Sequence, residues 1–149
     1  FRRNNFPFDL GFWQLDLEVR DNTALETLLN ISGQILYDYR FATITFEHDI
    51  YLELDECIET RIKSREILEG LGYYCVFKDI MDPPTICETW PSLCKSHRIR
   101  CYEDWWVHPD LVDMEYVKSL QERNKSKHVG AVDVSGHVVK PFQAHLIEY

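Results

Sequence analysis

No stretch of this 149-residue chain stays apolar for the ~20 residues that a membrane span requires, and no signal peptide is visible. Basic residues are also scarce. Against 25 Asp and Glu there are 16 Lys and Arg, a formal net charge of −9, which excludes a nonspecific nucleic-acid binder whose phosphate contacts need a basic patch. The C-x-x-C knuckle is absent. Five cysteines, Cys57, Cys75, Cys87, Cys94 and Cys101, leave one unpaired in any full scheme, so they do not form a secreted disulfide framework. The cytoplasm is the default compartment. N-x-S sequons at Asn30 and Asn124 matter only in a secretory one.

With 45% hydrophobic residues, a chain of this length buries one ordinary core and leaves little for a second. One domain is expected. Cys87, Cys94, His97 and Cys101 raise the question of a tetrahedral zinc site with three thiolates and one imidazole. The six-residue gap after Cys87 holds Trp90 and Pro91, so a loop disulfide or free thiols are the favoured reading over zinc.

The most telling stretch is Ala42 to Tyr51, ATITFEHDIY. The run Phe41 to Phe46 has no Gly or Pro and is rich in strand formers, as suits a strand covered on at least one face. It stops at Glu47, His48 and Asp49. Ligands of open α/β sheets sit outside the carboxyl ends of the strands, which makes this cluster a site candidate.

Around that strand the chain alternates. A Pro-containing lead-in over 1–11 precedes a strand from Phe12 to Leu17, with Asp16 and Glu18 at its end. The capping box Thr23 with Glu26 opens a helix with Leu25, Leu28 and Leu29 on its apolar face, stopped by Ser32 and Gly33. A second helix is expected over about Cys57 to Leu71, with Ile58, Ile62, Leu68 and Leu71 as its inner stripe and Gly70 and Gly72 at its exit. A third strand covers Tyr73 to Phe77, and a Pro- and Cys-rich excursion runs from Met81 to Cys101. A fourth strand, Tyr102 to Val107, closes at His108 and Pro109. Asp110 is then placed to cap a last helix to about Arg123, with Leu111, Met114, Val117 and Leu120 inward. The tail over 124–149 is an extension suited to docking on a partner.

This βαβαβ pattern predicts parallel strands with helices on the sheet faces. The fourth strand lacks a confident crossover helix, so an antiparallel course beside its neighbour is expected. Glu103 and Asp104 would then join Asp16 and Glu47 at one sheet edge. Trp13, Trp105, Trp106 and Phe46 are expected in the core. The strand at Phe12 opens the sheet with an exposed ladder edge, which is normally paired or covered by another segment or chain.

Four stretches, LDLEVRDNTALETL, FATITFEHDIY, TRIKSREILEGLGY and YEDWWVHPDLVD, resemble the C-terminal half of FkbM-type methyltransferases, which use S-adenosylmethionine. The resemblance implies a Rossmann-like, class I methyltransferase fold. This chain would supply strands four to seven of its sheet, with the last one antiparallel. Residues 12–123 would be a partial α/β domain whose N-terminal cofactor-binding half is absent. By the same resemblance Asp16 and Glu18 face the cofactor cleft, and Glu47, His48 and Asp49 stand on the acceptor side. His48 would be general base toward a hydroxyl of a sugar or other small metabolite. The carboxylates would orient that hydroxyl, and a hard divalent cation is the less favoured use of them. No glycine-rich turn follows the first strand, so S-adenosylmethionine binding requires the missing half. The alternative is an inactive, methyltransferase-like structural subunit of a larger assembly.

Overall fold

The computed structural model describes residues 2–52, 54–81, 101–127, 131–132, 138–139 and 142. In chain order the elements are β1 (Asp9–Leu15), α1 (Thr23–Gln34), β2 (Arg40–Glu47), α2 (Asp55–Gly70), β3 (Tyr74–Met81), β4 (Cys101–Val107) and α3 (Met114–Asn124), followed by the short pair β5 (Ala131–Val132) and β6 (Val138–Val139). The expected alternation of strands and helices is therefore present. β1 begins three residues earlier than the sequence suggests, and β3 runs on to Met81.

The main sheet is open and mixed, in the order β1-β2-β4-β3. β1 and β2 are parallel, whereas β4 lies antiparallel between β2 and β3. The reversed fourth strand matches expectation, and its central position gives it two bonded neighbours. Each strand residue alternates faces, so the register sorts the side chains. Trp13 lies opposite Ile44 and Ile44 opposite Trp106. On this side Ile44, Phe46 and Trp106 pack with Ala24 and Leu28 of α1 and Cys57 and Leu68 of α2. On the other side Phe77 and Ile80 pack with Phe142 and with Leu120 of α3. Of the four aromatic residues expected in the core, Phe46 and Trp106 are fully buried. Trp13 and Trp105 pack half-buried against the two core clusters.

Several local readings are corrected. No side chain caps α1, whose N-cap is Asn22 in the left-handed region rather than a Thr23 box, and Leu29 points to solvent. Asp113 caps α3 by accepting from Glu115 N and Tyr116 N. Asp110 instead accepts from Arg40, which also clasps Asp9. Of the stripe expected on α2, Leu68 is buried and Ile58 and Leu71 pack against the core, while Ile62 is half exposed; Cys57, Thr60 and Ser64 complete the buried face.

β1 pairs on one side only among the described residues. The large hydrophobics left in solvent include Phe6, Phe8, Phe12 and Leu17, all in or beside this strand. Phe12 lies opposite Thr43, on the face away from Trp13 and Ile44, and is 58% exposed. No helix of the described chain is long and apolar enough to cross a membrane.

Candidate functional site

The carboxyl ends of β1 and β2 and the start of β4 meet at one edge of the sheet. Glu47, the last residue of β2, is paired directly with Glu103 of β4. Like charges opposite one another across an antiparallel pair are destabilising. Relief comes through protonation. Burial first, then the charges of Asp16, Asp49 and Glu103 with a hydrogen bond to Asp16, push Glu47 up to about 8. Glu103 is raised as well, mainly by burial, with the Trp105 indole partly offsetting it. That indole Nε1 donates to Glu103 Oε1 at 2.6 Å. Asp16, Glu47, Asp49 and Glu103 thus form one acidic edge, as the sequence suggested. Glu18 follows in the same connection and is exposed. Asp49 sits at φ 47, in a region that non-glycine residues visit sparingly.

His48 goes elsewhere. The alternation that points Glu47 toward Glu103 turns His48 to the opposite face, the side of Phe46, and leaves it 0% exposed. Its Nδ1 accepts from Ile50 N at 3.3 Å. Its Nε2 lies 3.4 Å from Asp104 Oδ1 and 3.7 Å from Asp79 Oδ1, without a well-aligned hydrogen bond. A base must reach the proton it removes, and in this geometry a hydroxyl acceptor at the edge does not touch His48. Of the three residues at the end of β2, the structure keeps Glu47 and Asp49 at the edge and puts His48 inside.

Asp104 shows the same division. It follows Glu103 and points to the other face, opposite Phe46, and so belongs to a buried network rather than to the edge. Arg65 Nε donates to its Oδ2 at 2.6 Å, and Arg65 Nη2 to its Oδ1 at 2.8 Å. Arg65 Nη2 also donates to Asp79 Oδ1 at 2.8 Å. Arg61 grips Asp79 with two bonds of 2.7 Å, and Asp79 N donates to Asp104 Oδ1 at 2.8 Å. α2 supplies both arginines of this network. Burial alone would raise the Asp104 carboxyl, but His48 and Arg65 outweigh it and hold the group well below the usual carboxylate range. Asp79 is lowered in the same sense by Arg61 and Arg65.

His48, Asp79 and Asp104 offer ligand atoms within 4.8 Å of one another, a spacing open to a divalent ion. Charge and valence argue against one. Each Oδ1 already accepts two hydrogen bonds, and two guanidinium groups neutralise the two carboxylates. A dication would bring uncompensated charge into a buried site. Elemental analysis should find the same divalent metal content in wild type and in a His48→Ala variant, and EDTA should shift the urea midpoint of the two proteins equally. A metal content or chelator response that differs in the His48→Ala variant would reverse this assignment.

Among the zinc candidates, Cys101 packs in the main core with its thiol pushed up by burial to about 12, the behaviour of a small hydrophobe. Cys87, Cys94 and His97 lie outside the described residues. The described glycines form no cofactor cradle, since a Cβ added at Gly11, Gly33, Gly70 or Gly72 would meet nothing within 4 Å. The sequence Gly70-Leu71-Gly72 closes α2 instead of opening a helix, the wrong end for binding an anionic or donor group on helix N–H groups. The described residues therefore do not fit S-adenosylmethionine.

Comparison with family models, with curated proteins and with solved structures finds no match to this chain.

Proposed function

We propose that this chain is the acceptor-side portion of a class I methyltransferase-like sheet, acting on a hydroxyl of a sugar or other small metabolite. The observation that carries this reading is the acidic edge. Asp16, Glu47, Asp49 and Glu103 converge at the carboxyl ends of two parallel strands, where open α/β sheets bind ligands, and Glu47 is pushed up to about 8. A carboxyl group that exchanges its proton near neutral pH is suited to general base work on a hydroxyl. In this reading Glu47 takes the role that the sequence suggested for His48, while Asp16 and Asp49 orient the acceptor. The reversed strand β4, set between β2 and β3, agrees with the last strand of such a sheet. The methyl donor would be held by structure added beyond β1, because nothing among the described residues cradles it.

The edge of β1, unpaired among the described residues, favours a second reading, that of a structural subunit. An unpaired ladder flanked by exposed Phe8 and Phe12 is suited to pairing with a further protein segment or chain. Both readings require that partner, and only the first requires turnover. The deciding assay follows labelled methyl transfer from S-adenosylmethionine to a panel of sugars and other hydroxyl compounds by the intact protein with its sheet completed. Transfer that falls in Glu47→Gln supports the catalytic reading. Absence of transfer, together with no calorimetric heat for S-adenosylmethionine or its demethylated product, leaves the structural subunit.

A further inference from the structure

We infer that Phe142 is a positioning residue, a latch that holds the kinked backbone at Asp79 and through it the buried ion-pair network beneath the acidic edge. Three features of Phe142 define the latch. Its ring is 0% exposed and stacks on Phe77 with centroids 3.8 Å apart and planes 5° apart. Its N–H donates to Asp79 O, and its C=O accepts from Met81 N, both at 3.0 Å. These bonds form a parallel bridge beside Ile80, so a single residue from the tail continues the sheet past β3.

The bridge falls where β3 is least regular. Its register with β4 shifts between Phe77 and Ile80 and again between Ile80 and Met81. Asp79, inside that interval, has φ 56. A non-glycine residue keeps such a conformation only where its surroundings over-determine it. For Asp79 the ties are three. Its N–H is bonded to Asp104 Oδ1, its carboxylate to Arg61 and Arg65, and its C=O to Phe142 N. The first two belong to the ion-pair network, and the third is the latch.

Regular strand alternation would put the Asp79 side chain on the face of Phe77, two residues before it; the register shift between Phe77 and Ile80 breaks that alternation. The kink keeps its carboxylate on the arginine pair and within 3.7 Å of His48 Nε2. His48 lies between Glu47 and Asp49, and its N–H is anchored to Tyr102 O, one residue before Glu103. Slack at Asp79 therefore passes to both strands that build the acidic edge. This inference concerns packing and does not rest on the methyl-transfer reading, and its test uses no turnover.

The test is amide hydrogen exchange by NMR on the full chain, comparing wild type with Phe142→Ala and Phe142→Leu. The β1 and β2 amides of Trp13 and Ile44 serve as the internal reference for overall stability. In Phe142→Ala the Asp79 amide, which bonds to Asp104 and not to the tail, should lose protection at least tenfold relative to that reference, and the His48 amide should follow. Both variants keep the N–H and C=O of residue 142 and lose the stacked ring; Phe142→Leu retains more of the buried volume and should show the same selective loss at smaller amplitude. If protection falls at Met81 alone while Asp79 and His48 track the reference, Phe142 is only a local plug and the inference is overturned. Should the Ala variant not fold, Phe142→Leu decides by the same comparison, and equal loss at Asp79 and at the reference overturns it.

Discussion

Replacing Asp104 by Ala should lower the unfolding free energy by about 3–5 kcal/mol, the loss expected when one partner of a buried ion pair is removed. Asp104 is fully buried and accepts three hydrogen bonds in the network. Arg65 grips it through two nitrogens, the Asp79 amide depends on it, and His48 stands 3.4 Å away. The variant leaves Arg65 charged inside the protein with two of its three carboxylate hydrogen bonds gone, and that stranded charge is the larger part of the penalty. Urea unfolding at pH 7 measures it. Asp104→Asn keeps an acceptor for the Asp79 N–H and should recover part of the loss. A change below about 1 kcal/mol in the Ala variant would place the network among surface-type ion pairs, whose removal has little effect.

The same network sets an acid limit. The Asp104 and Asp79 carboxyls are held below their usual range in the folded state. Their contribution is therefore present above the unfolded carboxylate pKa of about 3.9 and is lost as pH falls through the folded values. Wild type should lose stability progressively below about pH 4, and Asp104→Ala should show a shallower decline over that range.

Legibility in the sequence followed the range of the interactions involved. The order of strands and helices was readable because it is written locally, in the β-branched run of β2 and in the leucines of α1. The convergence of Asp16, Glu47 and Glu103 was readable too, since it follows from strand direction once β4 runs antiparallel. The buried network was not. Arg65 meets Asp79 across 14 residues and Asp104 across 39, and no local pattern announces pairs so distant. One signal was present. Arg61 and Arg65 are four residues apart and share a helix face, which is the face carrying Cys57, Ser64 and Leu68 inward. Counting apolar residues alone found Ile58, Leu68 and Leu71, which pack in or against the core, but it added the exposed Ile62 and passed over Thr60 and Ser64. His48 offered a second signal. The two-residue alternation of β2, continued past Glu47, places His48 with Ile44 and Phe46 on the buried side. The cap of α3 was missed by three residues because Asp110 and Asp113 are equally good by type. Arg40, contributed by β2, takes up Asp110.

Glu47→Gln should separate what the acidic edge does for folding from what it does for chemistry. Glu47 is raised from its usual value to about 8 in the folded protein, so the folded state keeps a proton that the unfolded chain releases between about pH 4.5 and pH 8. Stability must then fall as pH rises through that window. Glutamine resembles the protonated acid in size and carries no charge at any pH, so the variant should match wild type near pH 4.5 and be the more stable protein at pH 9. Water screens a half-buried side chain, which reduces the advantage to about 1 kcal/mol. Turnover should move in the opposite direction. Loss of a general base slows a reaction by roughly 10²–10⁴-fold, and the wild-type rate should rise with pH toward 8 as Glu47 loses its proton. A stable variant with reduced turnover is the signature of a site held under strain for function. Urea midpoints at pH 5 and pH 9, with methyl-transfer rates over the same range, give both results from one protein. If the pH 9 stabilisation is found while transfer proceeds at the wild-type rate, Glu47 is a structural acid and the base must be sought elsewhere. If stability shows no such pH dependence, the carboxylates at this edge are too well solvated to share a proton, and the assignment of Glu47 as the base is lost with it.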